Sequence, residues 1–178
     1  KKDMKKVIFV LLFAAISGMT FAQKAETLVK TGMTVPDFEV KMFDGQTIQM
    51  KDLRGKVVLL NFWATWCPDC IRELARVQTD IIDRFQGKDF VFLPISRQDS
   101  YEKIKAFREK RGHTFPMGMD PNRKIYAQFA TAIIPRNFII DRDGKILYAG
   151  EGDDETSFQK LILEIEKALK TPASLKSE

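Results

Sequence analysis

The chain's only two cysteines stand three residues apart, in Trp66-Cys67-Pro68-Asp69-Cys70. The run before them, Val57-Val58-Leu59-Leu60-Asn61-Phe62-Trp63, reads as a buried strand. Ile71, Leu74, Val77, Gln78, Ile81, Ile82 and Phe85 after them are spaced like one face of a helix. That setting puts Cys67 at a helix N-terminus, where free N–H groups and the helix dipole favour a thiolate. Cys70 follows one turn later, within reach of a disulfide. A thiolate that can attack a disulfide, with a second thiol beside it to resolve the product, is the apparatus of thiol–disulfide exchange. Two other uses compete. A structural zinc site wants four N or S ligands, and His113 is the only histidine to add to the two cysteines. A purely structural disulfide suits an exported protein, but so short a loop removes little chain entropy.

The elements that must position the cysteines alternate along the chain. Phe38, Val40 and Met42 alternate with polar residues, Asp44-Gly45 turns, and Thr47-Ile48-Gln49-Met50 returns as a hairpin. After the central strand and first helix, Gly87-Lys88 breaks the pattern and Phe90 to Ile95 forms a second buried strand. Tyr101 to Arg111 is a helix with Ile104 and Phe107 inward, ending at Gly112. Phe115 to Gly118 is a short extended piece, and Asp120 or Asn122 caps a helix expected to run through Phe129. Asn137 to Ile140, the turn Asp143-Gly144, and Lys145 to Ala149 make a second hairpin. Leu161, Ile162, Ile165 and Leu169 stripe a last helix. Strands alternating with helices predict an α/β fold, a central mixed sheet flanked by helices. Residues 35–170 form that domain, with 23–34 as a polar lead-in and 171–178 as a loose tail.

The N-terminus has a different job. Lys1, Lys2, Lys5 and Lys6 precede the apolar run Val7 to Ile16, and Thr20-Phe21-Ala22 offers small residues for a signal peptidase. Residues 1–22 are expected to be a secretory signal cleaved after Ala22, with an uncleaved membrane anchor as the alternative. The net charge is +5 over the chain and +3 over residues 1–22, leaving +2 for the mature protein. With no basic cluster, nucleic-acid binding is not expected. Export sets the C-x-x-C in a periplasmic or otherwise oxidising compartment. The 44% hydrophobic content and 14 Phe suit one packed domain.

Three motifs in order carry a family resemblance. Val35-Pro36-Asp37-Phe38 with Asp44-Gly45 and Leu53-Arg54-Gly55-Lys56 is one. Asn61 through Cys70 is the second, and Ile134-Pro135-Arg136-Asn137-Phe138-Ile139-Ile140-Asp141-Arg142-Asp143-Gly144-Lys145-Ile146 the third. Together they resemble the thioredoxin-like thiol–disulfide oxidoreductases of the TlpA/ResA type, over residues 33–169. The resemblance implies a thioredoxin-like fold with an N-terminal β-hairpin and a helix-and-strand insertion between Gln98 and Ala130. No cofactor is expected, and the ligand count leaves no metal expected either. Cys67 would be the attacking thiol and Cys70 the resolving one. Pro135 would be a cis-proline facing the cysteines, leaving the backbone of Ile134 free to pair with substrate. Glu73, three residues after Cys70, would handle protons there, whereas an exposed helix glutamate paired with Arg72 or Arg76 is the plain alternative. Plain thioredoxins carry a buried Asp at the place of Asn61, which cannot titrate.

Other residues are read on their own chemistry. Trp66 shields one side of the thiols and borders the substrate site, Trp63 is core, and His113 is a solvent-exposed loop residue. Pro68 lacks an N–H and Asp69 adds negative charge near Cys67, so both disfavour its thiolate and point to a reducing pair. The expected activity is reduction of disulfides in exported proteins by a monomer recharged by a membrane thiol donor. A thiol peroxidase and a redox-inert or copper-handling binding module are the alternatives.

Overall fold

The computed structural model describes residues 26–152 and 154–172. The expected signal segment, the first residues of the lead-in and most of the tail fall outside them. In chain order the elements are β1 (Glu39–Met42), β2 (Thr47–Gln49), β3 (Val57–Trp63), α1 (Pro68–Val77), β4 (Phe90–Arg97), α2 (Tyr101–Arg111), β5 (Gly118–Asp120), β6 (Arg136–Ile140), β7 (Ile146–Glu151) and α3 (Glu155–Lys170). The strands make one sheet in the order β2-β1-β5-β4-β3-β6-β7. Pairings β3–β4 and β4–β5 are parallel, and the others are antiparallel. This is the mixed sheet of a thioredoxin-like fold, with the expected hairpin at one edge and the insertion contributing α2 and β5.

β3 lies in the middle, and all seven of its side chains are buried. A strand covered on both faces reads as a continuous apolar run, which is why Asn61 stands out as its only polar residue. Alternation sends Phe62 to one face, where its ring lies 5.2, 5.2 and 6.1 Å from those of Tyr126, Phe129 and Phe138. Asn61 and Trp63 point to the other face. There Trp63 meets Phe107 of α2 at 5.0 Å, and Asn61 reaches Glu73 of α1. β5 comes close enough to β1 that a Cβ at Gly118 would lie 2.7 Å from Val40 Cγ2, so only glycine fits. α3 is capped by Asp154, whose carboxylate accepts from Ser157 N–H at 3.0 Å, and buries Phe158, Leu161, Ile162, Ile165 and Ala168. Its last carbonyls are met by the Arg142 guanidinium, which donates to Thr171 O at 2.6 Å.

Two helices depart from the reading of the sequence. The first is α-helical only to Val77, and Gln78–Asp83 continues as a π-helix. Gln78 Nε2 donates to Asp83 Oδ1 at 2.8 Å, a five-residue spacing that suits the wider turn, while Ile81 and Phe85 stay buried. The helix expected through Phe129 is one 3-10 turn, Tyr126–Gln128. Its N-cap is Ile125 rather than Asp120 or Asn122, but the Asp120 carboxylate reaches its start from β5, accepting from Ile125 N–H at 3.0 Å and Tyr126 N–H at 2.8 Å. The lead-in then stops it. Leu28 N–H donates to Phe129 O at 2.8 Å and Thr27 bridges to Ala130, drawing that backbone out of the helix.

Candidate active site

Cys67 is the N-cap of α1, with Pro68 in the first helical position, where a missing N–H costs nothing. Cys67 Sγ accepts from Cys70 N–H at 3.1 Å, so the helix start already presents a donor to the first sulfur. The two cysteines form a disulfide, with Cα atoms 5.3 Å apart. Cys67 retains 5% exposure and Cys70 none. Asp69 is turned aside into an exposed ion pair with Arg72 at 2.6 Å, which tempers the charge it brings to Cys67.

The third motif arrives beside them. The Ile134–Pro135 peptide is cis, and Cys67 Sγ lies 3.7 Å from Ile134 O. The Ile134 N–H bonds to no described residue. The preceding loop is held carbonyl by carbonyl. Arg123 donates to Thr131 O. Arg136 Nε donates to Ala132 O at 2.9 Å, and the Tyr126 hydroxyl lies 2.6 Å from both Ala132 O and Ile133 O. This bracing keeps β-branched Ile133 at a left-handed φ of 69°, a conformation it would not hold unaided, with 46% of its surface exposed. The lead-in braces the loop from behind: Thr131 N–H donates to Glu26 O at 2.9 Å, and Arg136 to Thr27 Oγ1 at 2.6 Å.

Glu73 is not the exposed glutamate of the alternative reading. It is 4% exposed, and amides from two strands grip its carboxylate. Asn61 Nδ2 donates to Oε1 at 2.6 Å and Asn137 Nδ2 to Oε2 at 2.9 Å, while Asn61 Nδ2 also lies 2.9 Å from Asn137 Oδ1. Asn61 Oδ1 is left without a donor, so the buried trio keeps one acceptor open for a further hydrogen bond.

Sequence reasoning missed Asp99, Ser96, Asn137 and Arg97. Asp99 is 1% exposed and anchors the approach to the cysteines, accepting from Thr65 N–H at 2.7 Å, Thr65 Oγ1 at 2.9 Å and Ser96 Oγ at 2.7 Å. The signal was there: Ser96 and Arg97 close an apolar strand at its carboxyl end, where open α/β sheets gather ligands. Trp66 is 52% exposed beside Cys67, and Trp63 is fully buried. His113 is a correction. It is half-buried, its ring 5.5 Å from that of Phe107 and 4.9 Å from that of Phe115, because the aromatic end of α2 covers it. Among the described residues no three His, Cys, Asp or Glu side chains gather as a metal site.

The AhpC/TSA family model matches residues 31–149, spanning the hairpin, the cysteine motif and the cis-proline strand. The chain belongs to the AhpC/TSA family. Among its relatives is the thiol–disulfide oxidoreductase ResA of Bacillus thuringiensis, 31% identical over 147 residues, or 80% of this chain and 83% of the relative. The thioredoxin-like protein YneN of Bacillus subtilis is 30% identical over 165 residues, covering 88% and 95%. The solution structure of a candidate protein disulfide isomerase from Bacteroides thetaiotaomicron superposes with a TM-score of 0.77 at 37% identity, covering 82% of this chain and 93% of that one. With the C-x-x-C at the head of α1, this member of the family is a thiol–disulfide oxidoreductase.

Proposed function

We propose that the protein reduces disulfides in exported proteins, with Cys67 as nucleophile and Cys70 as resolving thiol. The observation that carries this reading is the asymmetry of the pair: Cys67 is 5% exposed beside the Ile134–Pro135 loop, and Cys70 is sealed. Only Cys67 is placed to meet a partner first. In the dithiol state the Cys67 thiolate attacks one sulfur of a substrate disulfide. A Cys67–substrate S–S bond forms, the substrate S–S bond breaks, and the departing substrate sulfur takes a proton. Cys70 then loses its proton and attacks Cys67 Sγ, releasing the second substrate thiol. Two electrons pass to the substrate, and the Cys67–Cys70 disulfide remains. The Glu73 carboxylate, one helical turn away, supplies the place for the Cys70 proton. The free Ile134 N–H pairs with the substrate backbone, Pro135 keeps the loop against Cys67, and Trp66 gives the substrate an apolar face.

The N-terminal pattern of residues 1–22 supports an exported, periplasmic site of action, and a membrane dithiol is the class of donor that would restore the pair. The domain works as a monomer without cofactor. Alkylation of thiols in intact cells tests the direction of the chemistry. A reductase rests largely as the dithiol, while a fully oxidised resting pair would overturn the reductase assignment.

A further inference from the structure

Arg97 is a buried cation that the exchange chemistry does not use. It closes β4 with 8% of its surface exposed. Its guanidinium carbon lies 5.5 Å from the Trp66 ring centre and 4.6 Å from that of Tyr126. Its Nε has no hydrogen-bond partner, and no carboxylate among the described residues forms an ion pair with it. Asp99, two residues on, would be the obvious counter-ion, but Thr65 and Ser96 hold its oxygens. Arg123 and Arg136, both positive, oppose the charge of Arg97. Glu151 answers Arg136 at 3.0 Å, whereas Arg123 donates to the Thr131 carbonyl and also keeps an unpaired Nε. Burial first, and then these two cations, press the Arg97 pKa below the usual value, against an opposing pull from Tyr126.

A guanidinium drawn largely out of water without an ion-pair partner is disfavoured. Here it stands behind the exposed ring that flanks the attacking sulfur. The rings of Trp66 and Tyr126 take no N–H hydrogen bond from it, and its planar N–H fork matches a carboxylate.

Resting on the exchange reading above, we propose that Arg97 receives a carboxylate of the polypeptide whose disulfide Cys67 attacks, from an Asp or Glu close in sequence to the attacked cysteine. The anion completes the charge that the fold leaves uncompensated, and so selects acidic surroundings for the disulfide.

The test offers the reduced protein two short peptide disulfides, identical except for Glu or Gln beside the cysteine. The Glu peptide should react about tenfold faster, the scale of one charge-assisted hydrogen bond. Its advantage should shrink as salt is raised. The Glu-to-Gln rate ratio should fall close to one in Arg97→Met and be partly kept in Arg97→Lys. Equal rates for the two peptides with the unmodified protein, or a ratio that Arg97→Met leaves intact, would overturn the proposal. Failure to reduce either peptide would overturn the exchange reading instead. Should Arg97→Met not fold, the salt series on the unmodified protein and the Arg97→Lys ratio decide.

Discussion

Asn61 of β3 and Asn137 of β6 face each other in register across the sheet, and both amides donate to the same buried carboxylate, Glu73. Plain thioredoxins carry the buried acid on the strand itself; here the strand supplies amides and α1 supplies the acid, one turn beyond Cys70. The acid is therefore fixed to the helix that bears the thiols.

Glu73→Gln keeps the shape of this trio and removes its charge. With no anion to oppose a second one, ionisation of the reduced pair should move to lower pH, and the pH profile of the exchange rate should change shape. The new NH2 faces one of the two Asn donors, so stability should fall by about 1–3 kcal/mol without loss of the fold. Glu73→Leu should instead strand the Asn61 and Asn137 donors and cost about 1–3 kcal/mol for each. Exchange rates across a pH series, with urea unfolding alongside, check both. An unchanged rate profile in Glu73→Gln would leave Glu73 a structural role only.

The Cys67–Cys70 pair should be reducing, nearer the about −270 mV of thioredoxin than the about −120 mV of a strong oxidant. Pro68 offers no N–H to the thiolate, and Asp69 opposes it. Since Asp69 is exposed and paired with Arg72, its share is small. Asp69→Asn should make the pair more oxidising, by no more than about 20 mV. Equilibration against a glutathione buffer measures it, and a shift to a lower potential would contradict the charge argument.

His113 should make the fold acid-sensitive in a narrow window. Burial, then the Arg108 and Arg111 charges, hold its pKa below the ordinary 6.5. In that window the unfolded chain binds the proton more readily, so stability falls as pH drops through 6.5 towards the lowered value, then levels off. The site is only half-buried, so the loss is expected to be small. His113→Gln should flatten that slope in urea unfolding at a series of pH values. An equal slope in the variant would assign the acid sensitivity elsewhere.

The parts legible in the sequence are those written in local pattern. Val57–Trp63 is apolar throughout because both faces of β3 are covered, and the cysteines sit where strand meets helix. What escaped depends on residues far apart in the chain. The turn at Tyr126 is held to three residues by the bridge from Thr27 to Ala130, and nothing near Phe129 announces that partner. Asn137 reads as an ordinary strand residue until register sets it opposite Asn61. Asp99 and Arg97 belong to types usually left in solvent, and only tertiary packing buries them. The π-helical turn after Val77 follows a regular helical pattern of apolar residues, with only the Gln78–Asp83 spacing to mark it.

The division of labour between the two sulfurs is the centre of the account, and trapping measures it directly. Cys70→Ser removes the resolving thiol while Cys67 can still attack, so mixed disulfides with exported proteins should accumulate and disappear on reduction. Cys67→Ser should trap little, since Cys70 is sealed, and the double variant should trap nothing. Trapping by Cys67→Ser as strong as that by Cys70→Ser would contradict the assignment of nucleophile and resolving thiol, and no adduct with either would return the pair to a structural disulfide.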